Sequence, residues 1–314
     1  MPSTSQVRQR NVVIVALIYM VLFSTTFIGI KFGVRYCPPL TLLTLRFLLA
    51  ALFLGLFVRW IGKPWPAKRS SWIRLGILGL FNVGLPAAFN FVALRHASAS
   101  MAAMIMTANP LLMALVAPKL LGERLTPIKI VGLLIGFGGV AYVMLGRMGA
   151  GGKTESPLGA ALMFCAVLSL VTATILFKRY PPRESLLMVN VVQQLISGLL
   201  LVPGVLIFEN PLKTQLSFGF FASLGHLVFI VSIGAPLLWL WLLERGEAST
   251  ASAYLFLFPI LGILFASITL NEAFTQRDGF GLVAVTIAIL LIRKGPAAAK
   301  PAPVAPAKSP APSE

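Results

Sequence analysis

Apolar residues of this 314-residue chain fall into ten long runs, separated by short breaks that carry proline, glycine or charged residues. A hydrocarbon layer about 30 Å thick needs about 20 apolar residues per helix, and most of the runs reach that length. Barrel strands would instead alternate apolar and polar positions. The pattern predicts an all-α polytopic membrane protein with ten transmembrane helices, at residues 12–33, 40–60, 72–94, 99–121, 128–145, 158–177, 186–208, 218–243, 248–270 and 279–292.

A stretch in the first half of the chain, residues 93–140, recurs in the second half at residues 242–289. At a constant offset of 149 positions the matched pairs are Ala99 and Ala248, Ser100 and Ser249, Pro110 and Pro259, Leu121 and Leu270, Glu123 and Glu272, Thr126 and Thr275, and Gly132 and Gly281. Such self-similarity indicates two copies of one unit. Five helices per copy is an odd number, so the second copy enters the membrane from the opposite side. This predicts two inverted five-helix repeats, as in many secondary transporters.

Composition and charge agree with a membrane protein and set its orientation. Hydrophobic residues make up 58% of the chain and charged residues 11%, against about 25% charged in soluble domains. The net charge of +17 would suggest a nucleic-acid partner in a soluble protein. Here 18 Lys and Arg residues fall in one set of breaks or tails and 7 in the other. Because cytoplasmic loops carry the excess of basic residues, both termini are predicted to be cytoplasmic, with no nucleic-acid partner.

These patterns divide the chain into five parts. The predicted parts are a cytoplasmic tail at residues 1–11, a first repeat at 12–146, a linker at 147–157, a second repeat at 158–293 and a disordered Pro/Ala-rich cytoplasmic tail at 294–314. The tail has nothing to bury and therefore no reason to fold.

The scarcity of reactive side chains excludes several kinds of site. Two cysteines, Cys37 and Cys165, and two histidines, His96 and His226, are scattered over separate runs and breaks. That is too little for a disulfide framework or a metal site, so no metal and no cofactor are expected. A membrane-embedded enzyme would need clustered His or acidic residues, and the runs hold none. The chain is predicted not to be an enzyme.

Polar and aromatic residues inside the runs are the candidates for binding a substrate. Asn82 and Asn90 share one helical face with Pro86, and Trp239 is the counterpart of Asn90 in the second copy. Ser and Thr in membrane helices also bond to their own backbone, which is the alternative role for three of the candidates. The predicted substrate-binding residues are Ser24, Thr25, Asn82, Asn90, Thr107, Asn109, His226, Trp239, Tyr254 and Phe258.

Five further residues are candidates for gating or structural roles. Pro110 and Pro259 each remove a helical donor and predict paired kinks beside the substrate path, with simple packing kinks as the alternative. Glu123 and Glu272 end helices at opposite faces, as gate residues or as carboxylates that are solvated or pin loops. Arg46 lies inside a run, where a charge marks a pathway or a paired interior site unless it snorkels to the surface.

The candidate residues describe a neutral, partly aromatic cavity, which limits the substrate. A pump for cationic drugs would bury an acid, and no Asp or Glu lies in the middle of a run. A carrier of sugar phosphates would want several central basic residues, and only Arg46 qualifies. A zwitterion with an apolar side chain fits better, so amino acids are the predicted substrate. His226 is a candidate proton shuttle or a packed hydrogen-bonding residue, which leaves antiport and facilitated diffusion both open. Efflux of a drug or another small metabolite is the alternative within transport, and a sensor or a channel is the alternative from another class.

The repeated stretch also resembles the EamA family of the drug/metabolite transporter superfamily. The resemblance rests on residues 97–100, Pro110, residues 122–124, Gly132 and residues 138–139, and in the first helix pair on Lys31, residues 38–39 and Arg46. It covers residues 12–293 and implies a ten-helix exporter of metabolites or drugs in the bacterial inner membrane. Within the family the chain most resembles the YddG-type exporters of aromatic and other amino acids. The expected partners are a small-molecule substrate and the lipid bilayer, and a single copy is expected to suffice.

Overall fold

The computed structural model describes residues 4–93, 105–147, 156–270 and 275–294. Within these ranges every regular element is helical. The α-helices are α1 Thr4–Ser24, α2 Thr26–Gly33, α3 Pro39–Trp60, α4 Arg69–Gly79, α5 Leu85–Ala93, α6 Ala108–Leu121, α7 Pro127–Arg147, α8 Pro157–Arg179, α9 Leu186–Phe208, α10 Phe218–Gly225, α11 Ala235–Arg245, α12 Ala248–Ala253, α13 Leu257–Leu270 and α14 Gln276–Lys294. Two π-helical segments lie at Leu80–Gly84 and His226–Gly234, and two 3-10 turns at Pro211–Lys213 and Tyr254–Phe256.

Local chemistry sets several helix ends. The hydroxyl of Ser156 accepts a hydrogen bond from the backbone N–H of Leu158 at 3.3 Å, at the start of α8. Ser185 and Ser217 do the same at the starts of α9 and α10. A serine oxygen in this position satisfies a helical N–H group that has no partner within the helix. α6 ends at Gly122, whose φ of +68° is the left-handed conformation that glycine adopts easily.

Each of the two π-helical segments ends two residues before a proline. The first ends at Gly84, before Pro86, and the second ends at Gly234, before Pro236. A proline removes one backbone donor, and its ring displaces the carbonyl four residues earlier. A wider π-helical turn is one known way in which a helix absorbs such a disturbance. Pro86 and Pro236 lie 150 positions apart, as do Gly84 and Gly234. Each half of the chain therefore contains one π-helical segment followed by a proline. The hydrophobic pattern predicted uninterrupted helices here, and the structure differs at these turns.

The prolines predicted as paired kinks also follow helix interruptions. The helix breaks at Thr107, three residues before Pro110, and at the 3-10 turn Tyr254–Phe256, three residues before Pro259. Each proline therefore lies in the first turn of a helix, α6 or α13, where its missing donor is tolerated. The paired kinks are thus breaks between two helical segments rather than bends within one.

Glycines allow two helix pairs to approach closely. A Cβ atom added to Gly139 of α7 would lie 2.6 Å from the Cβ of Ala284 in α14. A Cβ atom added to Gly198 of α9 would lie 2.6 Å from the side chain of Leu48 in α3. Any larger residue would collide, which is the usual reason for small residues between packed membrane helices. The second pair joins a helix of the first half to a helix of the second.

The outer surface of the helix bundle is apolar. Leu115, Leu134 and Phe218 are each more than half exposed, as expected for side chains that face lipid. Seven helical spans in the described chain are long and apolar enough to cross a membrane, and α6 and the segment Ala248–Gly262 are shorter apolar helices. The predicted count of ten and the inverted order of the repeats stay predictions, because residues next to α6 and α13 lie outside the described ranges.

Candidate substrate cavity

A cavity of about 370 Å³ lies between the two halves of the chain. Most of its wall is apolar, and its polar lining comes from a few Asn, Gln, Thr and Arg side chains. Four prolines also line it, Pro39, Pro86, Pro236 and Pro259. Pro86, Pro236 and Pro259 each follow a helix interruption, so these breaks in the helices are gathered around this space.

Six of the ten predicted substrate-binding residues line the cavity. They are Asn82, Asn90, Thr107, Asn109, Trp239 and Phe258. Arg46 and Pro259, from the gating and structural set, line it as well. These residues are spread from the middle of α3 to the start of α13. The shared helical face that the sequence predicted for Asn82, Pro86 and Asn90 is a face of this cavity.

The other predicted residues lie elsewhere. Ser24 is buried and donates a long hydrogen bond of 3.5 Å to the carbonyl of Phe258. Thr25 bonds to the carbonyl of Leu22, and its hydroxyl lies 2.9 Å from Nε2 of His226, behind the cavity wall. Tyr254 is buried in the main hydrophobic cluster.

The remaining gating candidates are also absent from the lining. Pro110 is buried in the first turn of α6. Glu123 lies beyond the end of α6, and Glu272 falls outside the described residues. Substrate contact stays a prediction for all the candidate residues, both those in the lining and those outside it.

One wall of the cavity is a ladder of aromatic rings. Tyr19 stacks on Phe23 and on Trp239, with ring centroids 5.4 Å apart in both cases. Phe23 continues the ladder to Phe258 at 4.9 Å. Such spacing is typical of favourable aromatic pairs. The sequence analysis missed Tyr19 and Phe23, because an aromatic residue in an apolar run carries no signal of the face that it occupies.

Arg46 brings a positive charge to the lining. It is the eighth residue of α3, about 10 Å along the helix from Pro39. Only 9% of the residue is exposed, and its Nε donates a 2.7 Å hydrogen bond to the hydroxyl of Ser232. Its guanidinium carbon lies 5.0 Å from the ring centre of Phe47. Among the described residues no carboxylate pairs with it, and it is the one charged side chain of the described lining.

A polar network behind Arg46 secures the second π-helical segment. The amide nitrogen of Asn190 donates to the carbonyls of Ser232 and Ile233, at 3.2 and 3.3 Å. The amide nitrogen of Gln194 donates to the carbonyl of Ser232 at 2.7 Å and to Oδ1 of Asn190 at 3.1 Å. These bonds satisfy carbonyls that the irregular helix exposes.

Two carbonyl oxygens of the lining are buried and have no hydrogen-bond partner. They are Oε1 of Gln194 and Oδ1 of Asn109. Buried polar atoms are nearly always satisfied in folded proteins, so two acceptors without a partner beside a cavity are unusual. The sequence analysis did not select Gln194, although a glutamine inside the apolar run 186–208 was a usable signal.

One end of the helix bundle is closed by a network that we call the Glu123 clamp. The carboxylate of Glu123 accepts hydrogen bonds from the backbone N–H groups of Ala248 and Ser249, at 2.6 and 3.1 Å, and from the Ser249 hydroxyl at 2.5 Å. It thereby caps the start of α12 from the other half of the chain. A negative charge at a helix N-terminus is favourable. Beside it the ammonium of Lys129 lies 2.6 Å from Glu247.

A second carboxylate, Glu209, forms the same motif elsewhere, and we call it the Glu209 clamp. It accepts hydrogen bonds from the backbone N–H groups of Leu40 and Thr41, at 2.9 and 2.7 Å, and from the Thr41 hydroxyl at 2.8 Å. It caps the start of α3. Burial and, to a smaller extent, the charge of Glu209 raise the pKa of the nearby Cys37 thiol. The sequence analysis did not identify this clamp, because Glu209 has the appearance of an ordinary loop charge.

The two clamps lie at opposite ends of the bundle. Lys178, near the end of α8, bonds to the carbonyl of Gly246 beside the Glu123 clamp. From there α9 runs over 23 residues, about 34 Å, to Glu209. The cavity lining includes Pro39, Leu42 and Leu43 in the first turns of α3, but no residue of the Glu123 clamp. The cavity therefore extends towards the end that holds the Glu209 clamp.

Comparisons with known proteins agree with a transport fold. Residues 10–145 and 157–294 each match the EamA-like transporter family. The chain is 28% identical to the "Uncharacterized transporter YvbV" of Bacillus subtilis over 287 residues, which cover 87% of this chain and 88% of that protein. It is 26% identical to the "Uncharacterized inner membrane transporter YedA" of Escherichia coli over 278 residues, 88% of each. One crystal structure of a protein matches with a TM-score of 0.74 at 21% identity, over 90% of this chain and 96% of that one.

Proposed function

We propose, from the premise that the chain belongs to the EamA-like transporter family, that this multi-pass membrane protein exports small neutral metabolites. Amino acids, either aromatic ones or a broad range, are the proposed substrates, as for the YddG-type exporters. The Escherichia coli relative is named as an inner membrane transporter, which supports the bacterial inner membrane as the location. The matching relatives are named as transporters, so the chain is a transporter rather than an enzyme.

The observation that carries the substrate proposal is the composition of the cavity wall. The ladder of Tyr19, Phe23, Trp239 and Phe258 offers flat apolar surface to a side chain. Arg46 offers a positive charge, and Asn109 and Gln194 offer unpaired oxygens. A cavity with one apolar wall and a few convergent polar groups is typical of a small-molecule site. Its volume of about 370 Å³ is within the ordinary range for such sites.

Alternating access between two inverted five-helix repeats is the proposed mechanism. Each clamp joins one half of the chain to the other, and the cavity lies between the halves. With both termini cytoplasmic, the Glu123 clamp closes the cytoplasmic end and the cavity extends towards the outer end. Transport then requires the Glu123 clamp to open while the opposite end closes. A single chain supplies both halves, so a monomer suffices.

Efflux of drugs or other metabolites is the second candidate function. A cationic drug would gain most from a buried carboxylate, and the described lining has none and instead contains Arg46. Neutral drugs with a flat apolar body fit the aromatic ladder as well as an amino acid does. A channel is disfavoured because the Glu123 clamp interrupts any continuous path at one end.

Flux into proteoliposomes tests the proposal. Purified protein should take up radiolabelled phenylalanine in a saturable way and exchange it with unlabelled phenylalanine inside the vesicle. Trp239→Ala should reduce this uptake several-fold, because it removes the ring that Tyr19 stacks on. Trp60→Ala is the matched control, since Trp60 is 81% exposed on the outer surface. Indifference to every amino acid would contradict the proposal, and transport of neutral drugs alone would favour the second candidate.

A further inference from the structure

The charges that line the cavity indicate a narrower substrate class than amino acids in general. Arg46 is a buried cation, yet its only polar partner among the described residues is the hydroxyl of Ser232. Surface snorkelling does not explain it, because its Nε points to Ser232 inside the bundle. A buried charge without a counter-ion is unfavourable and calls for an anion. In this protein the anion is not supplied by the described chain.

The guanidinium is partly held in place and partly free to bind. Nε is occupied by Ser232, and the plane is supported by the ring of Phe47 at 5.0 Å. Arg46 also belongs to the cavity lining. Arginine presents planar donors whose geometry matches a carboxylate, and such charge-assisted bonds are about twice as strong as neutral ones.

The same cavity offers an ammonium group much less. The side-chain oxygens of Gln194 and Asn109 that lack a partner are neutral and buried, and the described lining has no carboxylate. Moving an ammonium from water into a mostly apolar cavity is unfavourable unless a charged partner or several good acceptors replace the water. The cavity therefore replaces the interactions with water that the carboxylate of an amino acid loses on binding. It replaces those of the ammonium only in part.

We infer that Arg46 is the carboxylate anchor of this cavity, and that the cavity recognises apolar carboxylates, with an amino group that is accommodated but not required. This inference rests on the proposed transport function and narrows its substrate class. Aromatic acids that lack the amine bind at least as well as the corresponding amino acids. Amines and amides that lack the carboxylate bind much more weakly. The aromatic ladder receives the ring of either kind of carboxylate.

A panel of four related compounds tests the inference on the unmodified protein. The compounds are L-phenylalanine, 3-phenylpropionate, phenylalaninamide and phenethylamine, and the measurement is the dissociation constant from ligand-induced thermal stabilisation in detergent. We expect 3-phenylpropionate to bind as tightly as phenylalanine or more tightly. Phenylalaninamide and phenethylamine should bind at least about 30-fold more weakly, the factor typical of a lost hydrogen bond to a charged group. Equal binding of the amide, or no binding of 3-phenylpropionate, overturns the inference.

Substitution of Arg46 tests whether the binding of these compounds depends on this residue. Arg46→Gln should weaken binding of 3-phenylpropionate by about 30-fold, and Arg46→Lys should retain part of it because the charge remains. Arg59→Gln is the matched control, since Arg59 lies on the same helix but is exposed near its end. If Arg46→Gln fails to fold, Ser232→Ala replaces it and should weaken carboxylate binding several-fold by releasing the guanidinium. Unchanged carboxylate binding in Arg46→Gln, or in Ser232→Ala and Arg46→Lys together, overturns the inference.

The outcomes separate this inference from the transport proposal. If phenylalanine is transported and 3-phenylpropionate does not bind, the carboxylate class is wrong and the transport proposal stands. If 3-phenylpropionate binds and no amino acid is transported in proteoliposomes, the anchor stands and the proposed function fails.

Discussion

The two clamps use the same chemistry at opposite ends of the molecule but hold very different helices. Glu123 and Glu209 each accept two backbone N–H groups and one hydroxyl at the start of a helix in the other half of the chain. Glu209 caps α3, which packs tightly against α9 through Gly198. Glu123 caps α12, which has six residues and passes into a 3-10 turn. Glu209 therefore caps a long helix that packs closely against α9, whereas Glu123 caps a short, interrupted one.

This difference indicates which end can open. Leu255 and Phe258 follow α12 directly and line the cavity, so a shift of α12 is transmitted to the substrate site within two turns. α3 contributes Arg46 to the same site but cannot move without separating a closely packed pair. The Glu123 clamp is therefore the expected moving gate, and the Glu209 clamp part of the static frame.

The largest effect is expected from Lys129→Met, which removes the buried ion pair beside the Glu123 clamp. Lys129 is 1% exposed, and its loss leaves Glu247 without its nearest cation, at a cost of about 3 kcal/mol in the free energy of unfolding. The free energy of unfolding is measured in mixed micelles, with and without the substitution. Arg245→Gln is the control, because the pair between Arg245 and Glu244 is exposed and worth little. Equal losses of unfolding free energy in the two variants would mean that the buried ion pair stabilises the protein no more than the exposed one does.

Glu123→Gln should open the gate rather than unfold the protein. The amide loses the charge that holds two backbone N–H groups, worth about 2 kcal/mol, and shifts the equilibrium towards an open Glu123 end by roughly 30-fold. A cysteine at Ser252, one turn beyond Ser249 and fully buried, then reacts with a membrane-impermeant thiol reagent. Cys37 and Cys165 are replaced by serine in this experiment. A cysteine at Ser252 that stays unreactive would contradict a gate at this end.

Glu209→Gln is the matched variant at the other end, with a smaller effect on stability and none on the gate. The loss of the cap should lower the free energy of unfolding by about 1 kcal/mol, because packing of α3 on α9 remains. Labelling at Ser252→Cys should stay at the background level. If this variant exposes the cysteine as strongly as Glu123→Gln does, the contrast between gate and frame is wrong.

The smallest effects should come from the two hydroxyl groups. Ser249→Ala and Thr41→Ala each remove one hydrogen bond to a clamp carboxylate and leave its charge and both backbone N–H bonds in place. We expect Ser249→Ala to increase labelling at Ser252→Cys slightly and Thr41→Ala to leave it unchanged. The ratio of the two labelling rates measures the contrast without removing a charge. A ratio near one would indicate that the two ends are equivalent.

The sequence predicted the class of the fold and part of the cavity lining, for reasons that particular residues show. Long apolar runs predicted membrane helices, Asn82 and Asn90 were selected from their helical spacing, and Trp239 was selected as the counterpart of Asn90 in the second copy. Tyr19 was not found, because an aromatic residue in an apolar run carries no signal of the face that it occupies. Gln194 was not selected, although a glutamine inside an apolar run is a signal. No local pattern marks Glu209 as a partner of Thr41, 168 positions away.

The most direct test of the account follows both ends of the cavity in one experiment. Leu43 lies in the lining near the Glu209 clamp, and Ser252 lies behind the Glu123 clamp. Each is replaced by a single cysteine. Labelling of each cysteine is measured in proteoliposomes, with and without a gradient of phenylalanine at a saturating concentration. The account predicts opposite changes, with Leu43→Cys becoming protected under the conditions in which Ser252→Cys becomes reactive. Simultaneous reactivity at both positions, independent of substrate, would contradict alternating access and indicate a channel.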